Sequence, residues 1–138
     1  MSHIPVALRR AVHERAEGAC EYCRFPEALA FVAHEVDHVI ARKHGGATEL
    51  NNLALSCILC NKYKGTDLAS LDPDTGQLVA LYNPRRERWV EHFELAEATI
   101  APLSPEGRAT ARLLRLEHPD RRAERLLAFA AGLLRPPE

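Results

Sequence analysis

The chain has 138 residues, enough for one compact domain or a small core with appendages. It is 46% hydrophobic and 27% charged, as expected of a soluble globular protein, and no apolar run approaches the roughly 20 residues that cross a bilayer. A net charge of -1 at pH 7 weighs against a protein that holds nucleic acid by bulk charge, so any such binding has to come from local arginine clusters.

Residues 6–17 read as a helix, with Pro5 suited to its first position and Gly18 to its stop. Leu8, Val12 and Ala16 give it one apolar face. Val32, Val36 and Ile40 share one parity and Val39 breaks it, which predicts a strand ending near His38. Gly45-Gly46 opens a loop that runs through Asn51-Asn52 to a second short strand, 53–56, and then to a helix carrying Asn61, Lys62 and Lys64. Asp72-Pro73-Asp74-Thr75-Gly76 is a turn, with 77–82 as the return strand. Trp89, Phe93 and Leu95 fit a further strand or a short helix. Ser104-Pro105-Glu106 is a helix start, with Leu113, Leu114 and Leu116 expected inside that helix. His118-Pro119 interrupts it, and a last helix is expected from about Asp120 to Leu134. The resulting class is α+β, a single domain over 1–138 with a core at 20–65 and a C-terminal extension at 72–138.

Two Cys-x-x-Cys pairs, Cys20/Cys23 and Cys57/Cys60, carry the strongest chemistry. The segment 1–5 lacks the basic and apolar regions of a secretory signal, which predicts a cytoplasmic, reducing setting. There, paired cysteines read as metal ligands before disulfides. Four thiolates close a tetrahedral zinc site, and the alternative is a redox dithiol. The gap between the pairs is longer than in a zinc ribbon and leaves room for other chemistry.

That intervening chemistry has a family look. Glu35-Val36-Asp37-His38-Val39-Ile40, then Gly45-Gly46, Asn51-Asn52-Leu53, Cys57-Ile58-Leu59-Cys60-Asn61 and Lys64 resemble the HNH endonuclease pattern, in the subgroup stapled by four cysteines. Leu81-Tyr82-Asn83-Pro84-Arg85 and Gly107-Arg108-Ala109-Thr110 resemble an extension of some bacterial members. The resemblance implies a small ββα-metal core with an N-terminal helix and a C-terminal strand and helix extension. It implies His38 as general base, Asp37 and Asn61 as ligands of a catalytic divalent ion, and Asn52 as the tie between loop and base. Cys20, Cys23, Cys57 and Cys60 would hold structural Zn²⁺. Carboxylate and amide oxygens are hard ligands, so Mg²⁺ or Mn²⁺ suits the second site. Two departures stand out: Ala41 where proline is common, and Gly65 where some members place another metal histidine. His34, Glu35 and His44 are possible accessory groups.

Each residue also has a plainer reading. Asn61 after a Cys pair can cap a helix, and Asn52 can be a turn residue. Adjacent strand residues point to opposite faces, so Asp37 and His38 share a site only where the strand bends or ends. Arg42 and Lys64 sit beside the motif and are the expected phosphate contacts. Arg108, Arg112 and Arg115, and in part Arg121, Arg122 and Arg125, have helical spacing and read as solvated faces with nearby acids. The expected function is a metal-dependent endonuclease hydrolysing phosphodiester bonds, with DNA as partner and no membrane. A zinc-stabilised nucleic-acid-binding module without catalysis is the rival reading.

Overall fold

The computed structural model describes residues 3–137. Helix α1, Val6–Ala16, begins after Pro5 at the N-cap and ends at Glu17, whose φ of 53° turns the chain. Strand β1, Glu35–His38, and strand β2, Leu53–Ser56, pair antiparallel, with Glu35 opposite Ser56, Val36 opposite Leu55, Asp37 opposite Ala54 and His38 opposite Leu53. Cross-strand partners share a face. Leu53, Leu55 and Val36 therefore lie together, and they pack with Ile4, Val12, Ala16 and Leu8 as a small core beneath α1. The other hairpin face carries Glu35 and Asp37 and meets helix α2, Ile58–Lys64. Cys57 caps that helix, its Sγ accepting the Cys60 amide at 3.4 Å.

The rest of the chain builds a lid over the cysteines. Strands β3, Ala69–Leu71, and β4, Leu78–Ala80, form a hairpin around the expected turn. Asp72 is fully buried there and takes both arms of Arg108, at 2.8 and 2.7 Å. Helix α3, Trp89–His92, runs directly into β5, Phe93–Ala96, so both readings of that stretch are realised in succession. Strand β6, Thr99–Pro102, pairs with β5. Helix α4, Pro105–Leu113, starts at Ser104, whose hydroxyl accepts the Gly107 amide at 2.9 Å. Helix α5, Pro119–Ala130, ends four residues earlier than expected.

Leu114 and Leu116 lie beyond α4 rather than inside it. Arg115 between them has φ 52°, and the reversal sends both leucines into the core. They join Tyr82, Trp89, Phe93 and Ile100 around Cys20, Tyr22, Cys23, Cys57 and Cys60. Trp89 Nε1 donates to the Tyr22 carbonyl at 2.9 Å, and Thr110 Oγ1 accepts the Tyr82 amide at 2.8 Å. At Gly107 a Cβ would stand 2.4 Å from the His92 carbonyl oxygen, so glycine permits α4 to close on this layer. No described helix is long and apolar enough to cross a membrane.

Candidate active site

The four cysteine sulfurs lie within 4.8 Å of one another and are buried. Cys23 Sγ and Cys57 Sγ are 3.7 Å apart. A disulfide would need about 2.05 Å. A tetrahedral zinc with bonds of about 2.3 Å separates its sulfurs by about 3.8 Å. The donor set and spacing thus fit one closed zinc site. Each Cys-x-x-Cys turn folds its later amide onto its first sulfur, Cys23 N to Cys20 Sγ and Cys60 N to Cys57 Sγ, both at 3.4 Å.

Arg121 completes this cluster. It is buried on α5, and its Nη2 donates to Cys60 Sγ at 3.0 Å and Cys57 Sγ at 3.4 Å. Burial acts to lower its pKa, but the charge it meets at Cys60, Cys23 and Cys57 outweighs that and holds it above its ordinary value. Arg125, one turn on, is buried as well and donates to the carbonyls of Ala98 and Leu116 and to Glu117. These two arginines are therefore internal, not part of a solvated face.

Across the hairpin, Asp37 is 7% exposed and Lys64 3%. Lys64 Nζ stands 3.1 Å from Asp37 Oδ2 and 3.3 Å from the His38 carbonyl, and Tyr22 donates to the same Oδ2 at 3.0 Å. Lys64 is thus turned inward, away from the phosphate contact expected of it. Burial raises the Asp37 pKa, against Lys64 and Tyr22, which lower it; the net shift is upward. Asp37 Oδ1 accepts no hydrogen bond from a described residue. Asn61 lies three residues before Lys64 on the same helix face. Its Nδ2 donates to Glu35 Oε1 at 3.0 Å. A carboxylate accepts only, so this bond fixes the amide with Oδ1 turned the other way.

His38 ends β1, and its pairing with Leu53 puts it on the face opposite Asp37. Its Nε2 meets Thr48 Oγ1 at 2.9 Å. Burial lowers its pKa; Arg42 and Lys64 push the same way and Asp37 opposes them, which leaves a neutral ring at pH 7. Asn52 does not touch the ring. It accepts the Ile40 amide at 3.0 Å and donates to the carbonyls of Ile40 and Ala47, each at 2.9 Å, fastening both ends of the loop just beyond the histidine. Gly46 sits under this clamp: a Cβ there would fall 1.7 Å from the Ile40 oxygen and 2.8 Å from Asn52 Nδ2. Arg42 follows in a short helical turn and forms no ion pair among the described residues.

The fold thus joins Asp37, Lys64 and Tyr22, and separately Asn61 and Glu35, between one hairpin face and one helix. It makes no direct hydrogen bond among Asp37, His38 and Asn61. Residues 20–67 match the family model described as HNH endonuclease. The matched HNH segment contains both cysteine pairs and every residue of these contacts, and it covers about a third of the chain. The match ties the cleft to nuclease-type, nucleic-acid chemistry. Searches of curated proteins and of solved structures give no match.

Tyr22, Thr48 and Arg121 escaped the sequence reading. Tyr22 had one signal, its place inside the first Cys-x-x-Cys turn. Thr48 had none, because nothing in the loop residues marks the one that meets His38, and the helical spacing of Arg121 reads as a solvated face.

Proposed function

We propose that the protein is a metal-dependent HNH endonuclease that hydrolyses DNA phosphodiester bonds with His38 as general base. One observation carries the reading. The hairpin face bearing Glu35 and Asp37 meets the α2 face bearing Asn61, within the matched segment, and leaves the outer oxygens of Asp37 and Asn61 without partners among the described residues.

Asp37 Oδ1 and Asn61 Oδ1 are hard donors that suit Mg²⁺ or Mn²⁺. Such an ion, when bound, would supply positive charge to a phosphate oxygen and to the departing oxygen. In the tautomer that carries its proton on Nε2, facing Thr48 Oγ1, His38 Nδ1 keeps its lone pair and accepts a proton from the attacking water. The water oxygen then bonds to phosphorus, the bond from phosphorus to the leaving oxygen breaks, and that oxygen takes up a proton. Asn52 holds the turn after His38, so the ring meets the substrate in one orientation. Arg42 meets a neighbouring phosphate. Lys64 supplies an internal counter-charge that opposes the upward pull of burial on the Asp37 carboxyl. The thiolate cluster, holding zinc, fixes α2 against the first cysteine turn.

Conversion of supercoiled plasmid to nicked or linear DNA in Mg²⁺ or Mn²⁺ tests this reading. Parent protein is expected to cut, and His38→Ala to cut slower by a factor of roughly 10² to 10⁴. Retained activity in His38→Ala would remove that histidine from the mechanism. Lys64 favours a second reading, because its ammonium already faces Asp37. Under that reading the chain is a non-catalytic zinc-stabilised nucleic-acid-binding module, which salt-dependent DNA binding with no cleavage in any metal would select.

A further inference from the structure

Basic side chains in this protein fall into two populations. Arg85 is spent on Glu21, Arg108 on Asp72, Arg121 on the cysteine sulfurs, Arg125 on Glu117 and two carbonyls, and Arg15 on the carbonyls of Leu50 and Leu53. Lys62, Arg112 and Arg115, like Arg42, Lys43, Arg86 and Arg88, are exposed and pair with no carboxylate among the described residues.

Two of these cations converge on one ring. The Arg115 guanidinium lies 4.6 Å from the centroid of Tyr63, and Lys62 Nζ lies 5.8 Å from it. Tyr63 sits on α2 between Asn61 and Lys64. Those two face the hairpin, and at about 100° per residue Tyr63 faces elsewhere. The inner side of α2 thus carries the cleft and its flank carries an aromatic ring with two unspent cations.

The backbone at Arg115 adds an independent reason to ask what this side chain does. The Leu116 amide returns to the Ala111 carbonyl at 3.0 Å and the Arg115 amide to the Arg112 carbonyl at 3.2 Å. That is the double bond of a Schellman ending, with Arg115 at the left-handed position, φ 52°. Glycine is the ordinary occupant there, because a Cβ is penalised. The chain carries arginine instead and lays its guanidinium on Tyr63. Stacking fixes the planar group while leaving its N–H donors free for an anion, and a fixed guanidinium suits phosphate oxygens.

We propose that Lys62, Tyr63 and Arg115 form a contact for the phosphodiester backbone of the nucleic-acid substrate, with Arg115 supplied from outside the HNH-matched segment. The proposal rests on the endonuclease reading and extends it. It gives the C-terminal part of the chain a share in substrate binding beyond covering the cysteines. Charge complementarity selects the partner: the chain as a whole is slightly acidic, and this cluster is locally cationic.

Binding of a short labelled DNA duplex, measured across a salt series in the His38→Ala background, tests it. Arg115→Gly is the informative variant, because glycine suits the left-handed position. It is expected to keep or raise the melting temperature while weakening DNA binding about fivefold to tenfold near 0.1 M salt. The slope of log affinity against log salt should shrink by about one. Arg115→Gln and Tyr63→Leu should weaken binding in the same direction. Arg122→Gln, an exposed change at a residue already bonded to Thr99 and Glu117, should leave affinity and slope unchanged. Unchanged affinity and slope in Arg115→Gly would overturn the proposal. A fall in its melting temperature with unchanged binding would make the arginine only a tether between α4 and α2. A His38→Ala protein that binds no DNA at any salt would instead overturn the endonuclease reading, and this contact with it.

Discussion

Helix α2 serves two sites that are finished to different degrees. At its first turn, Cys57 and Cys60 join Cys20 and Cys23 in a buried cluster, with amides from Cys23 and Cys60 and a guanidinium from Arg121 on the sulfurs. At its second turn, Asn61 and Lys64 meet Glu35 and Asp37, and there oxygens of Asp37 and Asn61 have no partner among the described residues. The first site closes on itself, as architecture does, and the second stays open, as the proposed function requires of a place for water, metal and substrate. The same seven-residue helix carries both, so the rigidity of the sulfur cluster becomes the rigidity of the cleft.

Zinc removal should break the comparison most severely. Thiolate binding to zinc counts as folding free energy, on the order of 10 kcal/mol for small zinc domains. Chelation, or Cys60→Ser, is expected to abolish cooperative thermal unfolding and cleavage together; loss of cleavage alone would detach the cluster from the fold. Lys64→Met is next. It leaves the Asp37 carboxylate buried with only Tyr22, and breaking such a pair costs about 3 kcal/mol. Chemical denaturation should show that loss, and Mn²⁺ should stabilise the variant more than the parent. Equal stabilisation would speak against Asp37 as a ligand.

Two smaller effects sharpen the contrast. Arg121→Met should speed zinc transfer to a chromogenic chelator by roughly 10-fold to 100-fold, the usual weight of a partner to a metal ligand. An unchanged transfer rate would reduce Arg121 to packing. The acid limb of the pH–rate profile should lie below the ordinary histidine value of about 6.5, because burial, Arg42 and Lys64 disfavour the protonated ring. Activity is therefore expected to hold through neutral pH and to be lost as pH falls through that lowered value. Arg42→Gln should move the limb upward, and a limb that stays put would separate Arg42 from the ring.

The sequence was most legible where chemistry is local. The strand 53–56, the turn around Asp72 and the cap at Ser104 follow from alternation, turn residues and capping preference, and each lies where those rules put it. The two Cys-x-x-Cys pairs announce their site because each knuckle is complete within four residues. The partners here were hidden, since Lys64 reaches Asp37 from a distant part of the chain and Thr48 reaches His38 across the intervening loop. Arg121 and Arg125 were hidden for a different reason. Helical spacing beside Glu117 and Glu124 is the pattern of a wet surface, and periodicity does not distinguish a guanidinium aimed at sulfur from one aimed at water. Strand β6 was missed because its four residues are short and end in proline.

A crystal of the zinc-loaded protein soaked in Mn²⁺ gives the most direct test, read from anomalous scattering at the manganese edge. The account predicts one manganese peak between α2 and the hairpin, at coordination distance from Asp37 Oδ1 and Asn61 Oδ1. Manganese bound elsewhere, or none at all with the Lys64 ammonium spanning both oxygens of Asp37, would contradict it.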